Sequence, residues 1–265
     1  MVRENDTLIG REQELKRIHA AVRRGTNVLI WGEKGSGKTA FLHEFMKQQN
    51  VLQARAGVML VSTQCASFKD TCLALLGCLF ERDLLVKVPK ETKILNSDLP
   101  WAEVQTHFSR LRATVLKNLV LSNLCGIKNL TVVLDHVGKI KLKFYLLLDA
   151  LRDYGRLILV TRSEKRQDAG RLWMLLWGFE KIEIKPLTPY ETKRLARIWL
   201  EGINPGGPDS EKWFDELARR SHGNPRILRG LCEAVCTRMM QTKANTANLR
   251  LANIDREISD FIKEK

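Results

Sequence analysis

Residues 32 to 39 read Gly-Glu-Lys-Gly-Ser-Gly-Lys-Thr, and they restrict the fold more than any other part of this 265-residue chain. They fit the pattern G-x-x-x-x-G-K-[ST] without a mismatch, and a short apolar run, Val28 to Trp31, precedes them. Glycine lets the backbone curl so that its N–H groups point at phosphate oxygens, and a helix starting at Lys38 would add its positive N-terminal end. The pattern predicts a buried strand, a phosphate-binding loop (P-loop) and a helix in succession.

The side chains of this loop suit a nucleoside triphosphate. Lys38 would bring a positive charge to the β- and γ-phosphates, and the Thr39 hydroxyl is suited to ligate Mg²⁺. We therefore expect ATP with Mg²⁺ as the ligand. The residues expected to hold it are Gly32, Gly35, Ser36, Gly37, Lys38, Thr39 and Ala40.

A second apolar run ends in a carboxylate. Leu130 to Leu134 reads as a buried strand, and Asp135 follows it directly. A P-loop enzyme needs an aspartate at a strand tip beside the loop to hold the Mg²⁺ shell. An apolar run followed by aspartate is a weak pattern alone, but its place about a hundred residues after a P-loop strengthens it. Asp135 is therefore predicted to support the metal.

Strand and helix patterns alternate along most of the chain. Strands are predicted at 28–31, 57–62, 130–134, 157–161 and 181–184, and helices at 8–24, 38–49, 68–80, 101–124 and 140–154. This alternation predicts an α/β fold with a five-stranded parallel sheet. From Thr188 onward the pattern is helical, with breaks at 202–208 and 223–225, which predicts a small helical lid. We expect a nucleotide-binding core at 1–186 and the lid at 187–265.

The charge of the chain favours a polyanionic partner. The chain has 44 Lys and Arg against 30 Asp and Glu, a net charge of +14. The excess is concentrated in residues 101–200. Neither a signal peptide nor an apolar run long enough for a membrane span is found, and the six cysteines show no zinc or disulfide pattern. These features predict a cytoplasmic protein with reduced thiols and no membrane association.

Taken in order, the motifs resemble those of the AAA+ ATPases, and within them the branch of origin-recognition, ExeA-like and transposition-regulator ATPases. Leu8 to Leu15 is similar to the "hhGRExEL" opening that lines the adenine pocket, which implies a role for Ile9 and Gly10. Residues 32–39 and Asp135 resemble Walker A and Walker B. The remaining motifs resemble sensor 1 at Thr161 and Arg162, the "PLT/SxxE" start of the lid at 186–191, and the "GNPR" sensor 2 segment with Arg226 as the sensor.

The resemblance implies assembly and DNA contacts. Members form rings or filaments, in which an arginine after the fourth strand reaches the neighbouring subunit's γ-phosphate; Arg166 and Arg171 are candidates here, and Arg171 is preferred. Loops after the second and third strands face the centre, so duplex DNA would be held without sequence preference by Lys69, Lys139, Lys141 and Lys143. A protein partner such as a transposase or a replication factor is implied. Trp173, Trp177 and Phe179 are interpreted as packing or subunit contacts.

The sequence departs from the family at two places. His136 stands where a glutamate usually orients the attacking water. Its imidazole is either the base itself or an inert replacement that leaves hydrolysis slow, and we favour slow hydrolysis. The chain also ends at Lys265, without room for a winged-helix DNA reader, so DNA contacts are expected from the ATPase core. The alternative is a STAND-type signalling switch without DNA binding, because Thr161 and Arg162 are also similar to the "TTR" step of that class.

Overall fold

The computed structural model describes residues 8–52, 58–62, 65, 67–86, 99–200 and 210–239, and every structural statement below refers to these residues. The five strands are β1 (Val28–Trp31), β2 (Met59–Ser62), β3 (Leu130–Leu134), β4 (Gly155–Thr161) and β5 (Glu180–Glu183). The helices are α1 (Glu12–Arg23), α2 (Lys38–Leu52), α3 (Phe68–Phe80), α4 (Trp101–Ser109), α5 (Ala113–Leu124), α6 (Leu142–Tyr154), α7 (Arg166–Ala169), α8 (Leu172–Leu175), α9 (Pro189–Trp199), α10 (Ser210–Ser221) and α11 (Pro225–Met239).

The chain divides into two compact units. One consists of Met1–Leu15, Glu33–Glu44 and Ile184–Lys265, and the other of Lys16–Gly32 and Phe45–Glu183. The first unit therefore contains both the P-loop after its first glycine and the described helices of the predicted lid. The domain limits 1–186 and 187–265 stay a prediction.

All five strands belong to the second unit and form one parallel sheet in the order β2-β3-β4-β1-β5. Strand β4 lies between β1 and β3, with Trp31 opposite Thr161 and Leu134 opposite Leu159. Central parallel strands are covered on both faces, which is why β1, β3 and β4 are almost uninterrupted runs of Val, Leu and Ile. The predicted five-stranded parallel α/β fold is confirmed.

A leucine-rich core supports this sheet. Helices α3, α5 and α6 contribute fully buried side chains such as Leu76, Leu116 and Leu147, which cluster with Val132 and Leu157 of the strands. Burying each such side chain stabilises the fold by about 1.5–3 kcal/mol. The core therefore holds the carboxyl ends of β1, β3 and β4, where the predicted site residues begin, on a rigid support.

The first unit has its own apolar core. Helix α9 begins at a complete capping box: the Thr188 hydroxyl accepts from the Glu191 backbone N–H at 3.3 Å, and the Glu191 carboxylate accepts from the Thr188 N–H at 2.7 Å. Helices α9, α10 and α11 pack their apolar faces together. The buried cluster includes Ile9, Leu187, Leu195, Trp213, Leu217, Leu228 and Leu231.

The sequence prediction was wrong at one long helix. The segment predicted as a single helix over 101–124 is two helices, α4 and α5, separated at 110–112. Arg110 and Leu111 donate to carbonyls only three residues back, and Arg112 is extended (φ −66°, ψ 148°), so the helical ladder ends there. The short helices α7 and α8 were not predicted. Residues 81–100 are mixed and charged, a pattern that predicts a surface loop, and their central part, 87–98, lies outside the described residues. The predicted break at 202–208 also lies outside them.

Within the described ranges, no helix is both long and apolar enough to cross a membrane.

Candidate nucleotide-binding site

The P-loop leaves the sheet at Gly32 and leads directly into α2. Gly35 (φ 85°) and Gly37 (φ 93°) lie in the left-handed region that favours glycine. The Ser36 N–H donates to the Glu33 carbonyl at 3.2 Å, and the Phe41 N–H donates to the Gly37 carbonyl at 2.9 Å, which starts the helix. The sequence therefore folds locally as predicted, into a tight glycine turn followed by a helix N-terminus.

The polar side chains of the loop are oriented but incompletely satisfied. The Lys38 ammonium donates to the Glu33 carbonyl at 2.6 Å, so it is folded back along the loop. Ser36 is 2% exposed, and its hydroxyl has no hydrogen-bond partner within the described part of the chain. A buried unsatisfied hydroxyl costs about 1–3 kcal/mol. A bound polar ligand would relieve that cost, so the loop fits an anion such as a phosphate.

The opening motif contacts the start of the lid. Gly10 (φ 68°) lies against the Glu191 carboxylate so closely that a Cβ at position 10 would overlap it. The buried Arg11 guanidinium donates to the Lys185 carbonyl and forms an ion pair with Glu14 at 3.7 Å. These contacts hold the opening motif on the capping residue of α9.

The sensor 2 segment contacts the apex of the P-loop. Asn224 Nδ2 donates to the Lys34 carbonyl at 2.9 Å, and the Arg226 N–H donates to the Gly35 carbonyl at 3.3 Å. The Arg226 side chain itself is exposed. Sequence reasoning assigned a role to Arg226 but none to Asn224, and the only signal was the place of Asn224 in the "GNPR" motif.

In the second unit, Asp135 and Thr161 lie at the same sheet edge from which the P-loop starts. The chain leaves β1 at Gly32 and β3 at Asp135, and Thr161 ends β4 between them. The Val137 N–H donates to the Val160 carbonyl at 2.9 Å, which continues the β3–β4 pairing past Asp135. Asp135 is 1% exposed and Thr161 is 5% exposed. Carboxyl ends of adjacent parallel strands are the usual ligand edge of such a sheet.

His136 is exposed and has an uncommon backbone conformation. Its φ is 58°, and its N–H donates to Asp135 Oδ1 at 2.7 Å. The ring Nε2 lies 3.6 Å from Asp135 Oδ2. The side chain at the position expected for glutamate is thus directed at the neighbouring carboxylate.

The candidate arginines and lysines are exposed. Arg166 lies over the Trp173 ring at 5.5 Å, and Arg171 and Arg162 face solvent. A bridge between Ile140 and Gly170 joins the loop after β3 to the segment between α7 and α8, and this brings Lys139 against Gly170. Sequence reasoning missed this bridge, because isolated pairings leave no periodic pattern. Lys69, Lys141 and Lys143 are also exposed, in the first turn of α3 and at the start of α6.

Four similarities to known proteins agree with this fold. A sequence profile described as an AAA ATPase domain matches residues 7–160, more than half of the chain. A Walker-type ATPase of Pyrococcus abyssi is similar in structure, with a TM-score of 0.55, 15% identity, and coverage of 100% of this chain and 78% of its own. Domain III of the Thermotoga maritima replication initiation protein DnaA has a TM-score of 0.57, 15% identity, and coverage of 96% and 98%.

A structure of Drosophila ORC bound to DNA is also similar, with a TM-score of 0.58, 14% identity, and coverage of 93% of this chain and 61% of that one. No curated protein matches the chain. The chain belongs to the AAA ATPase domain family, which confirms the predicted class. The family carries nucleotide binding and ATPase activity in general, usually with Mg²⁺.

Proposed function

We propose that this chain is a slow, DNA-associated AAA+ ATPase whose ATP-bound form is an oligomer that holds duplex DNA without sequence preference and recruits a protein partner. The observation that carries the proposal is a P-loop of the full Walker A pattern, with a buried Ser36 hydroxyl that lacks a partner in the described part of the chain and with the sensor 2 segment on its apex. The resemblance to DNA-associated ATPases supports the finer assignment.

The nucleotide would be held by backbone and side chains of the loop. Lys38 would move from the Glu33 carbonyl to the phosphates, since a charged oxygen is a stronger acceptor than a neutral carbonyl. Ile9 and Gly10 would lie beside the adenine ring of the nucleotide. Thr161, Arg162 and Arg226 would respond to the γ-phosphate. A Mg²⁺ ion held by Thr39 and Asp135 would neutralise phosphate charge. Phosphate oxygens and waters would complete its shell, since Mg²⁺ bound with a nucleotide usually takes only one or two protein carboxylates.

Slow hydrolysis follows from position 136. A general base must reach the water it activates and be free to accept its proton. The His136 ring lies beside Asp135 instead, so it supports the carboxylate more than it activates water. We infer that turnover falls below the ~1 s⁻¹ of ordinary enzymes.

The DNA surface would be the exposed basic loops. Lys139, Lys141 and Lys143 precede and begin α6, and the Ile140–Gly170 bridge places Lys139 beside the segment that carries Arg171. Phosphate contacts of this kind give affinity but carry no base information. The exposed Trp173, Met174 and Trp177 on the same segment support a contact with another protein subunit or partner, since Trp, Met and Arg are enriched in interfaces.

Fluorescence anisotropy on two unrelated duplexes, with and without ATP, tests this function. We expect ATP-strengthened binding, and we expect the triple variant Lys139→Ala/Lys141→Ala/Lys143→Ala to lower the log-log salt slope by roughly 1 for each lysine removed. The matched control removes three exposed lysines elsewhere, Lys16, Lys47 and Lys128, and should keep the slope. No binding at low salt with ATP would reject the DNA function and favour the signalling switch. An unchanged slope in the loop variant would move the DNA surface elsewhere.

A further inference from the structure

Asn224 uses both ends of its side-chain amide. Its Oδ1 accepts from the backbone N–H of Arg226 at 3.0 Å and of Ile227 at 3.4 Å, so it caps α11. Its Nδ2 donates to the Lys34 carbonyl at 2.9 Å. An amide oxygen only accepts and an amide NH₂ only donates, so these partners fix the orientation of the group. One side chain therefore joins the start of a lid helix to the apex of the P-loop.

A second contact lies beside the first. The Arg226 N–H also donates to the Gly35 carbonyl at 3.3 Å. A Cβ on Gly35 would stand 2.6 Å from Asn224 Oδ1 and 2.7 Å from Arg226 Cβ, distances that side chains do not tolerate. Glycine at position 35 therefore serves two purposes: it adopts φ 85°, and it leaves room for the sensor 2 segment.

These contacts fix the direction of loop amides. A peptide group is planar and trans, so its N–H points away from its carbonyl oxygen. The Lys34 carbonyl shares its plane with the Gly35 N–H, and the Gly35 carbonyl shares its plane with the Ser36 N–H, which closes the turn onto Glu33. Holding both carbonyls from one side sets the curl of the loop before any phosphate arrives.

We propose that Asn224 is a positioning residue for nucleotide binding, one that holds the P-loop in its curled form from the N-terminus of α11 without contacting the nucleotide. The proposal rests on the proposed nucleotide site. Asn224 would strengthen nucleotide binding by preorganisation, because an ordered loop loses less entropy when the phosphates bind. The proposal also explains why the residue is asparagine: serine caps a helix as well, but its single hydroxyl lacks the NH₂ group that reaches the Lys34 carbonyl.

The variant Asn224→Ser separates the capping of α11 from the hydrogen bond to the Lys34 carbonyl. Asn224→Ser keeps a capping oxygen and loses the bond to Lys34, whereas Asn224→Ala loses both. We expect thermal unfolding of the Ser variant near that of the parent and of the Ala variant below it. By calorimetry we expect both variants to bind ADP and a non-hydrolysable ATP analogue between about 2- and 12-fold more weakly, the range for one hydrogen bond.

Ser67→Ala is the matched control, since it removes the hydroxyl that caps α3 at 3.1 Å and leaves the P-loop unchanged. It should lower the unfolding temperature and leave nucleotide affinity at the parental value. If Asn224→Ser binds nucleotide as tightly as the parent, Asn224 is only a helix cap and the proposal is overturned. A parent that binds neither nucleotide overturns the proposed function and the role of Asn224 with it.

Discussion

The carboxylate of Asp135 is contacted twice by the residue that follows it. The His136 N–H donates to Oδ1 at 2.7 Å, and the His136 ring Nε2 lies 3.6 Å from Oδ2. This arrangement depends on the left-handed backbone of His136, φ 58°. Histidine, like asparagine and aspartate, is several-fold enriched among the non-glycine residues of this region, and glutamate is not among the enriched residues.

We expect His136→Glu to raise the rate of ATP hydrolysis, because it restores a carboxylate that can accept a proton from water. It should also lower the free energy of unfolding by up to about 1 kcal/mol, because glutamate tolerates positive φ less well. His136→Asn is the control, since asparagine suits the backbone but offers no base, and its rate should stay low. Phosphate release under single-turnover conditions measures the hydrolysis rate of both variants. A lower rate in His136→Glu would identify His136 as the base.

Lys38→Ala should weaken ATP binding by about 10- to 150-fold, the range for a charge-assisted hydrogen bond. Lys34→Ala removes the same charge from an exposed side chain of the same loop and keeps the backbone carbonyl that Asn224 contacts. It should bind ATP almost as the parent does. Calorimetry on the three proteins decides, and equal affinity for Lys38→Ala and the parent would refute the assignment of the P-loop.

We expect ATP-dependent assembly, with Arg171 as the arginine that reaches the γ-phosphate of the neighbouring subunit. With a non-hydrolysable ATP analogue, light scattering should give a mass well above the 30.4 kDa of one chain. In the parent, assembly should make the rate of hydrolysis per chain rise with protein concentration. In Arg171→Ala, analogue binding should persist but this rise should be lost. Arg166→Ala is the comparison, because Arg166 already lies over Trp173. If Arg166→Ala loses the rise in rate and Arg171→Ala keeps it, Arg166 is the arginine that reaches the neighbouring γ-phosphate.

Native thiol labelling should distinguish the cysteines by burial. Burial raises the pKa of Cys72 to about 12 and raises the pKa of Cys232 as well, so both stay protonated thiols at neutral pH. Cys125 is exposed. Peptide mass spectrometry after a short iodoacetamide pulse at pH 8 should find Cys125 modified first, and Cys72 and Cys232 only after denaturant is added. Fast labelling of Cys232 without denaturant would show that its helix opens readily.

The acid stability of the lid helices should depend on Glu216. Hydrogen bonds, from Arg219 above all and also from Arg220, lower the pKa of Glu216 from 4.5 to about 2. Its ionised form therefore stabilises the fold fully above about pH 5, and this contribution is lost as the pH falls towards 2. Glu216→Gln should be destabilised at pH 7 by about 1 kcal/mol, with the difference from the parent shrinking between pH 5 and pH 2.

The matched control for that prediction is Glu233→Gln. Glu233 and Arg229 form an exposed i,i+4 ion pair at 2.9 Å. One such pair contributes less to the free energy of unfolding than the two arginine contacts of Glu216 do. Thermal unfolding followed by circular dichroism at several pH values would compare the variants. If the stability of Glu216→Gln follows that of the parent in parallel between pH 5 and pH 2, the lowered pKa of Glu216 is contradicted.

Strong local patterns allowed parts of the fold to be predicted closely. The run at 28–31 and the pattern at 68–80 match β1 and α3 at both ends. Each combines a clear apolar pattern with a boundary signal, Gly32 after β1 and the Ser67 cap before α3. The helix over 101–124 was predicted wrongly because the apolar period continues through the break, and the local bonds at Arg110 and Leu111 that end α4 have no counterpart in composition.

The candidate site was predictable in its residue types and less so in its contacts. Glycine, lysine and threonine in the P-loop and aspartate after β3 have fixed chemical roles, so the pattern was enough to select them. The bond from Asn224 to Lys34 was not predictable, because it ends on a backbone carbonyl, which every residue possesses. The bridge between Ile140 and Gly170 joins segments whose own patterns do not refer to each other.

The contact between Gly10 and Glu191 limits how this sequence is able to diverge. Glu191 caps α9 through the amide of Thr188 and also lies where a side chain at position 10 would stand. A methyl group added at position 10 would overlap the Glu191 carboxylate, which would then have to swing away and release the Thr188 amide. A side chain at position 10 and the helix cap at position 191, about two thirds of the chain apart, therefore exclude each other.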